Sequence, residues 1–351
     1  MRPLLLPALR RLWRDRSTLQ LGLDPARALL VCDLPPGADK LLDRLDGTAE
    51  LDDLLSGAEL GGLDRGALEQ LVGALVGAGA VVDAATSTPL PATLDLAARH
   101  RLSADAASLS LLVGDAGGVL AHRHRCMVAL HGQAKLAVPL ASTLAAAGVG
   151  RVHVVGRGPV EQREVAPGGF AAADVSRPRA EAAADAVARA APQADPRPLP
   201  PRRRPDLVVL AGRAAADAML IDRLFGDGVA HLVLNVRDTA GVVGPLVTPG
   251  RSSCLRCADL HRRDRDPLWP AVAGQLGTAH RGHIEPQDTA LAAALVGLAA
   301  LQTLAYLDGS VPAQSTDGTL ELALPDCRVR RRSWPQHPDC GCRARALPRT
   351  G

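Results

Sequence analysis

The sequence Met127-Val-Ala-Leu-His-Gly-Gln-Ala-Lys-Leu-Ala137 decides the fold, because an apolar run changes there into a helix-type repeat within a few residues. We predict a strand at 127–130 and a helix at 136–147. The same alternation predicts further strands at 152–155, 207–211 and 231–235, and helices at 179–190 and 214–225. Strands that alternate with helices are typical of parallel strands joined by crossover helices. The predicted fold class is therefore α/β, with a Rossmann-like doubly wound sheet.

The first 85 residues have a different pattern. Two short apolar runs, 17–23 and 28–34, are separated by Asp24-Pro25-Ala26, which predicts a β-hairpin. Three short helical patterns and a strand at 80–82 follow, and together these elements predict a small α+β domain of the winged-helix type. We therefore divide the chain into a winged-helix domain at 1–85, a linker at 86–104 and an α/β domain at 105–351.

The composition restricts the classes of function. The chain contains only two Phe, three Trp and one Tyr among 351 residues, which excludes an aromatic stacking platform for single-stranded nucleic acid. The net charge is +3, yet residues 36–83 carry ten acidic and three basic side chains, a net charge of −7. A surface that contacts phosphates needs basic side chains, so these charges disfavour a DNA-binding regulator.

The apolar segments and the cysteines indicate a cytoplasmic location. The apolar run after Met1 is too short for a signal peptide, and we expect no membrane span, because the longest apolar stretch, 291–307, contains Gln302 and Thr303 and predicts a buried helix. Seven cysteines without an export signal favour a reducing compartment. We expect Cys32 and Cys126 to be small core residues.

Two close cysteine pairs are the strongest chemical signal in the sequence. Cys254-Leu-Arg-Cys257 and Cys340-Gly-Cys342 bring four thiols to two tight turns. Four thiolates satisfy the tetrahedral coordination of structural zinc and leave no open position for water or substrate. We predict a structural zinc site at these residues; a redox pair or unrelated cysteines are the alternatives. A second metal-capable group, His280, His283 and Glu285, has no fourth ligand at a fixed spacing and predicts a surface loop.

The junction between the first strand and helix of the α/β domain lies where a dinucleotide-type G-x-G-x-x-G turn is expected. Only Gly132 keeps its place, and the second and third glycines are replaced by Ala134 and Ala137. A methyl group at the middle position obstructs the approach of phosphates to the backbone. The position is therefore that of a nucleotide site, but its chemistry is lost.

Several segments resemble the ThiF/MoeB superfamily of ubiquitin-activating-type adenylyltransferases. The resemblance covers roughly 105–345 and rests on Gly148-Val-Gly150, Asp206-Leu-Val-Val209, the run from Gly241 to Gly250, and the two cysteine pairs. It implies a ThiF-like domain and a homodimer formed through that domain.

A narrower resemblance, to an actinobacterial group of bacteriocin cyclodehydratase-like and leader-peptide-binding proteins, spans nearly the whole chain. It rests on Leu19-Gln-Leu-Gly-Leu-Asp-Pro25, Leu42-Asp-Arg-Leu-Asp-Gly47, the segment from Cys254 to Arg262, Asp266-Pro-Leu-Trp-Pro270 and His337-Pro-Asp-Cys-Gly-Cys342. In that group the winged helix takes a leader peptide as an added strand against its hairpin. The resemblance implies a peptide-binding site formed by Leu19, Leu21, Leu23, Leu29, Leu30, Val31, Leu68, Leu71 and Val72.

The chain departs from the adenylating members of the superfamily at their chemical positions. The magnesium-binding aspartate of those enzymes corresponds to Gly212 or Arg213, and the acid after the second strand corresponds to Gly156 or Gly158. The lysine that contacts ATP phosphates falls at Arg179. No cysteine lies between Cys257 and Cys327, so the usual thioester position is also empty. The resemblance thus implies only a vestigial nucleotide site, at Gly132, Lys135 and Arg179.

These observations predict a non-catalytic, pseudo-adenylyltransferase scaffold. It would bind a precursor leader peptide and present it to a separate enzyme of the YcaO type, as in thiazole/oxazole-modified peptide biosynthesis. The predicted cofactor is structural zinc, without ATP. The alternative is an active ATP-dependent adenylyltransferase with an unusual nucleotide loop.

Overall fold

A computed structural model describes residues 1–35, 37–56, 64–200, 203–212, 217–276 and 286–342. The chain forms two units, Met1–Ala121 and His122–Gly351. The predicted zinc, peptide and nucleotide residues all lie in the described ranges. The loop with His280, His283 and Glu285, and Arg213, lie outside them.

The first unit contains two small antiparallel sheets. Its strands are β1 (Pro3–Leu5), β2 (Arg11–Trp13), β3 (Leu19–Leu21), β4 (Leu29–Val31) and β5 (Val81–Asp83). Strand β3 pairs with both β2 and β4, which confirms the predicted hairpin, and β1 pairs with β5. Strands β1 and β2 were not predicted, because three-residue strands carry too little periodicity to be recognised.

The helices that begin in this unit are α1 (Ala38–Arg44), α2 (Leu51–Ser56), α3 (Arg65–Gly77), α4 (Leu96–Ser110) and α5 (Ala116–Arg125), and α5 ends in the second unit. The first three follow the predicted order, whereas α4 and α5 were not predicted. The Asp64 carboxylate accepts a hydrogen bond from the Gly66 amide at 2.9 Å and so caps the start of α3. Leu68, Leu71 and Leu75 recur at helical spacing on α3 and pack into the core that also holds Leu19.

The predicted linker at 86–104 differs from the structure, since α4 begins at Leu96. Asp95 caps this helix through a 2.6 Å hydrogen bond from the Ala98 amide. Ala98, Leu102 and Leu109 are buried in a second small cluster of this unit. Charged and small polar residues on the other faces of α4 hid this stripe from a reading of the sequence.

The second unit is built on a seven-stranded sheet. Its strands are β6 (Met127–Gly132), β7 (Arg151–Val155), β8 (Leu207–Ala211), β9 (His231–Arg237), β10 (Ala240–Val247), β11 (Gly318–Ala323) and β12 (Arg328–Ser333), in the spatial order β12-β11-β10-β9-β8-β6-β7. Strands β7, β6, β8 and β9 are parallel, and β10, β11 and β12 extend the sheet in antiparallel fashion. The four predicted parallel strands are confirmed.

The helices of the second unit are α6 (Ala134–Ala146), α7 (Arg179–Ala190), α8 (Ala218–Gly226), α9 (Leu255–Arg265), α10 (Trp269–Gln275) and α11 (Thr289–Asp308). Helices α6 and α11 bury Leu140, Leu144 and Leu295 in one core with the sheet. The Arg123 guanidinium donates to both carboxylate oxygens of Asp308 at 2.8 and 2.7 Å, and both side chains are buried.

Helix α11 is long and apolar enough to cross a membrane by length and composition alone, but half of its apolar window is buried inside the protein. The side-chain oxygen of Gln302 accepts a hydrogen bond from the Ser315 amide at 2.9 Å in this buried environment. The sequence-based expectation of a buried helix at 291–307 agrees with this packing.

Gly150, between α6 and β7, provides a test of this packing. A Cβ atom there would lie 1.7 Å from the carbonyl oxygen of His124, a backbone atom that cannot move alone. We expect Gly150→Ala to lower the free energy of unfolding by about 3 kcal/mol. Gly226→Ala is the control, because a Cβ at Gly226 would meet nothing within 4 Å. Urea denaturation of both variants measures the difference, and equal stability of the two would contradict this packing.

Candidate functional site

The four paired cysteines form one compact cluster. The Sγ atoms of Cys254 and Cys257 are 3.8 Å apart, and the Cys254–Cys340 and Cys257–Cys342 Sγ distances are both 3.6 Å. All four ligand atoms lie within 4.8 Å of one another, and all four residues are buried. Tetrahedral zinc with Zn–S bonds of about 2.3 Å places its sulfurs about 3.8 Å apart. The cluster can therefore bind a metal ion, and its dimensions fit zinc.

Two distant segments supply the cluster. Cys254 is the N-cap residue of α9 and Cys257 lies in the first turn of that helix, while Cys340 and Cys342 follow β12 near the end of the described chain. The positive end of the helix dipole at the start of α9 favours thiolates there. The sequence predicted this set of residues, and the structure brings all four together.

Polar contacts hold the second segment against α9. The His337 imidazole lies 2.7 Å from a carboxylate oxygen of Asp264, and the Arg263 guanidinium donates to Asp339 at 3.1 Å. His337 also packs edge-on against His261, with ring centroids 4.8 Å apart. Hydrogen bonds from His337 and Arg263 lower the pKa of Asp264, so this carboxylate is charged at neutral pH. These contacts orient the turn that carries Cys340 and Cys342.

Burial controls the ionisation of two of the thiols, whereas at Cys257 hydrogen bonds with the backbone and with neighbouring thiols outweigh burial and lower the pKa. Desolvation raises the pKa of Cys254, and it raises the pKa of Cys342 to about 12. Without a cation these thiols stay protonated at neutral pH, whereas a bound divalent metal would displace their protons. With four protein sulfurs around it, such a metal would have no position left for a substrate, and its contribution would be to folding.

The other three cysteines lie apart from the cluster. Cys126 is buried, as predicted, and burial raises its pKa to about 11. Cys32 is exposed, and the expectation that it belongs to the core is wrong. It follows β4 directly, and the alternation of a strand turns its side chain outward. Cys327 is also exposed.

The position expected for a nucleotide lies at the ends of β6, β7 and β8. Gly132 has a positive φ of 113°, which explains why this glycine is retained. The side chain of Gln133 fills the space beside Gly212, where a Cβ would lie 2.4 Å from Cδ of Gln133. Gln287 donates to Oε1 of Gln133 at 3.3 Å and keeps it in place. An acidic side chain at 212 would therefore require Gln133 to move.

Arg179 occupies the space beside the end of β7. A Cβ at Gly156 would lie 2.8 Å from Cδ of Arg179. The guanidinium donates to Glu164 at 2.6 Å and to the carbonyl oxygen of Arg157, and both charged side chains are mostly buried. Arg179 was predicted from the sequence, whereas Glu164 was not, because no local pattern links two residues that are fifteen positions apart in a loop and a helix. The charge of Arg179 is thus neutralised within the chain.

Lys135 lies in the first turn of α6 and makes a contact that differs from those of Arg179. Its ammonium donates to the carbonyl oxygen of Gln287 at 3.4 Å. Of the three residues predicted for a vestigial nucleotide site, Gly132 and Lys135 flank the start of α6, whereas Arg179 contacts Arg157 and Glu164 beside β7.

The residues predicted to bind a peptide separate into two groups. Five of them have side chains inside the core of the first unit and cannot contact a partner through those side chains: Leu19, Leu21, Leu68, Leu71 and Val72. Leu29 and Val31 are half-buried, whereas Leu23 and Leu30 are 63% and 53% exposed. In the hairpin the reason is the period of two in a strand, which buries alternate residues. Leu68, Leu71 and Val72 are buried because they lie on the apolar face of α3.

The cysteine cluster can be tested by removing one ligand. We expect the purified protein to carry about one zinc per chain and Cys340→Ser to lose it, which would lower the unfolding temperature by at least ~5 °C. Elemental analysis and calorimetry measure the two effects. Cys327→Ser is the matched control, because this exposed cysteine lies outside the cluster. A wild-type protein that contains no metal and unfolds at the same temperature as Cys340→Ser would refute the assignment.

This chain is similar to a known protein family and to several solved structures. The model of the ThiF family matches residues 108–344. The structure of E. coli MccB with AMPCPP and MccA is 12% identical, covers 97% of this chain and 99% of that one, and has a TM-score of 0.70. The structure of the microcin C7 biosynthetic enzyme MccB with N-formylated MccA is 13% identical, covers 98% of this chain and 100% of that one, and has a TM-score of 0.69. The structure of PaaA is 16% identical, covers 94% of this chain and 99% of that one, and has a TM-score of 0.70. No curated protein sequence matches. The chain belongs to the ThiF family.

Proposed function

We propose that this protein is a non-catalytic ThiF-type scaffold. It binds a leader or partner peptide through a winged-helix-type module in its first unit and presents the peptide to a separate modifying enzyme. The observation that carries the proposal is the internal neutralisation of Arg179 by Glu164 beside Gly156, at the position expected for a nucleotide. The biosynthesis of thiazole/oxazole-modified peptides is the setting that we propose.

The loss of adenylation chemistry follows from charge. Adenylyl transfer needs a metal ion and fixed positive groups around the triphosphate. Gly156, Gly158 and Gly212 offer no carboxylate to hold a ribose or a magnesium ion. A triphosphate would have to compete with Glu164 for Arg179, and it would leave the Glu164 carboxylate uncompensated in a mostly buried position. This arrangement favours a scaffold over an adenylyltransferase.

Strand β4 is the peptide-docking element that we propose. Among the described residues β4 pairs only with β3, so its outer edge offers backbone donors and acceptors to an added strand. Leu30 is exposed on one face of β4, and Leu29 and Val31 are half-buried on the other. The opposite edge strand, β2, carries Arg11, which is already paired with Asp43 at 2.5 Å. The apolar β4 edge is therefore the better match for an extended peptide.

The solved relatives support a peptide partner. MccB was crystallised with the peptide MccA, and this chain has the same fold over nearly its whole length. We propose a homodimer formed through the second unit, a YcaO-type enzyme as the acceptor of the presented peptide, and a cytoplasmic location, whose reducing conditions keep thiols free. Structural zinc at the cysteine cluster would tie the chain end after β12 to α9.

Peptide docking can be tested at Leu30. We expect the full-length protein to bind a labelled leader peptide of its precursor with a micromolar or lower Kd, as measured by fluorescence anisotropy. Leu30→Asp should weaken this binding at least tenfold, because a carboxylate on β4 must be desolvated when a strand is added.

The control variant is Leu96→Asp, which makes the same change at an exposed position of α4 in the same unit. It should bind the peptide as the wild type does. Equal weakening by both variants would indicate a general charge effect, and no effect of Leu30→Asp would remove β4 as the docking edge.

The second candidate function is an active adenylyltransferase, which is favoured by the structure of MccB solved with ATP on the same fold. We expect isothermal titration of the wild type with Mg-ATP to show no micromolar binding, and a coupled assay to show no peptide-dependent release of pyrophosphate. The physical reason is the occupied space beside Gly156 and Gly212. Pyrophosphate release with any acceptor peptide would overturn the scaffold and establish the enzyme.

A further inference from the structure

A cavity of about 420 Å³ lies in the second unit between α6 and α11. Its walls are Pro139 and Ala146 of α6, Ala292 and Val296 of α11, and the loop residues Pro167 and Gly168. The volume falls within the usual range for small-molecule pockets. Of the residues predicted for a vestigial nucleotide site, Lys135 belongs to its lining, whereas Gly132 and Arg179 do not. The cavity is therefore distinct from the space that Arg179 fills beside β7.

Helical periodicity explains why this space exists. Lining residues of α11 recur at intervals of three and four, from Thr289 through Ala292 and Val296, and so form one face of the helix. The facing residues of α6, from Lys135 through Pro139 to Ala146, have the same spacing. Most of these side chains are small, so two helices that pack closely elsewhere leave an apolar space between these faces.

Two polar groups border this apolar space. The hydroxyl of Ser142 has no hydrogen-bond partner among the described residues, and Ser142 is only 5% exposed. Leaving a buried hydroxyl unpaired is costly, and the neighbouring hydroxyl of Thr143 avoids this cost by donating to the carbonyl oxygen of Pro139 at 2.8 Å. The second group is the ammonium of Lys135, whose one recorded acceptor is the Gln287 carbonyl at 3.4 Å.

We propose that this cavity binds a small aliphatic carboxylic acid. The carboxylate would pair with the Lys135 ammonium at one end of the cavity, two helical turns along α6 from the Ser142 hydroxyl. The aliphatic chain would lie against Pro139, Ala292 and Val296 and remove their apolar surface from water. The combination of an apolar wall with one ammonium and one hydroxyl selects an anion with an apolar chain over a nucleotide, whose phosphates and sugar need many polar partners. This site goes beyond the proposed scaffold function and does not depend on it.

The probe for the test is octanoate, which combines one carboxylate with a short aliphatic chain. We expect full-length protein to bind octanoate with a Kd of about 1 mM or lower in isothermal titration. Lys135→Met keeps the length of the side chain and removes its charge, and should weaken octanoate binding at least tenfold. Octanol should bind more weakly than octanoate, with an affinity that Lys135→Met leaves unchanged.

A second pair of variants keeps the test independent of Lys135. Ala293→Leu places a larger side chain on the exposed rim of the cavity and should abolish octanoate binding, whereas Ala294→Leu lies outside the lining and should not. Equal binding by the wild type, Lys135→Met and Ala293→Leu would overturn the site. Absence of octanoate binding to the wild type would overturn it as well. If the wild type does not bind octanoate and Ala293→Leu changes the oligomeric state, a second copy of the chain covers the cavity, and the proposed site is overturned.

Discussion

Four buried sulfur atoms in one cluster are the constraint on which the antiparallel half of the second unit depends. Sγ distances of 3.6–3.8 Å join the start of α9 to the chain that follows β12. These segments are eighty-three or more residues apart in sequence, and β11 and β12 lie between them. Because thiolates at this separation repel each other, the cluster needs protons or a cation to be stable. Contacts from His337 to Asp264 and from Arg263 to Asp339 hold the two segments together around the cluster.

The parallel half of the sheet depends on a different property, the small volume of its side chains. The core that it shares with β10 and β11 consists almost entirely of Ala, Leu and Val. Phe170 is the one aromatic residue among the buried members of this core, and Tyr306 packs against it. Small side chains let α6 approach the sheet closely, and they also leave the space between α6 and α11. The same composition therefore explains both a tight core and a cavity beside it.

The position expected for a nucleotide keeps the backbone turn of the fold, while side chains of this chain fill the space around it. Gly132 still allows the turn from β6 into α6, because the fold itself needs this positive φ. The surrounding space is occupied by Gln133 and by the ion pair of Arg179 and Glu164. Arg179 also donates to the backbone carbonyl oxygen of Arg157. The family membership and the likeness to MccB and PaaA concern this retained architecture.

The sequence by itself determined the succession of parallel strands and helices along the chain, the hairpin at β3 and β4, and the four cysteines of the cluster. These features depend on local periodicity or on spacing within a few residues, and both can be recognised without a structure. Short strands such as β1 and β2 and the helix α4 escaped recognition, because their buried positions are too few or are interrupted by charged residues.

Only the tertiary structure decided which residues of the hairpin face inward, what fills the nucleotide position, and where a cavity remains. Leu19 and Leu30 are the same residue type on paired strands, yet one is buried and the other exposed because the sheet packs on one face. Arg179 and Glu164 are brought together by the fold, and so are the small faces of α6 and α11. Contacts between residues that are distant in sequence depend on packing, and no local pattern encodes them.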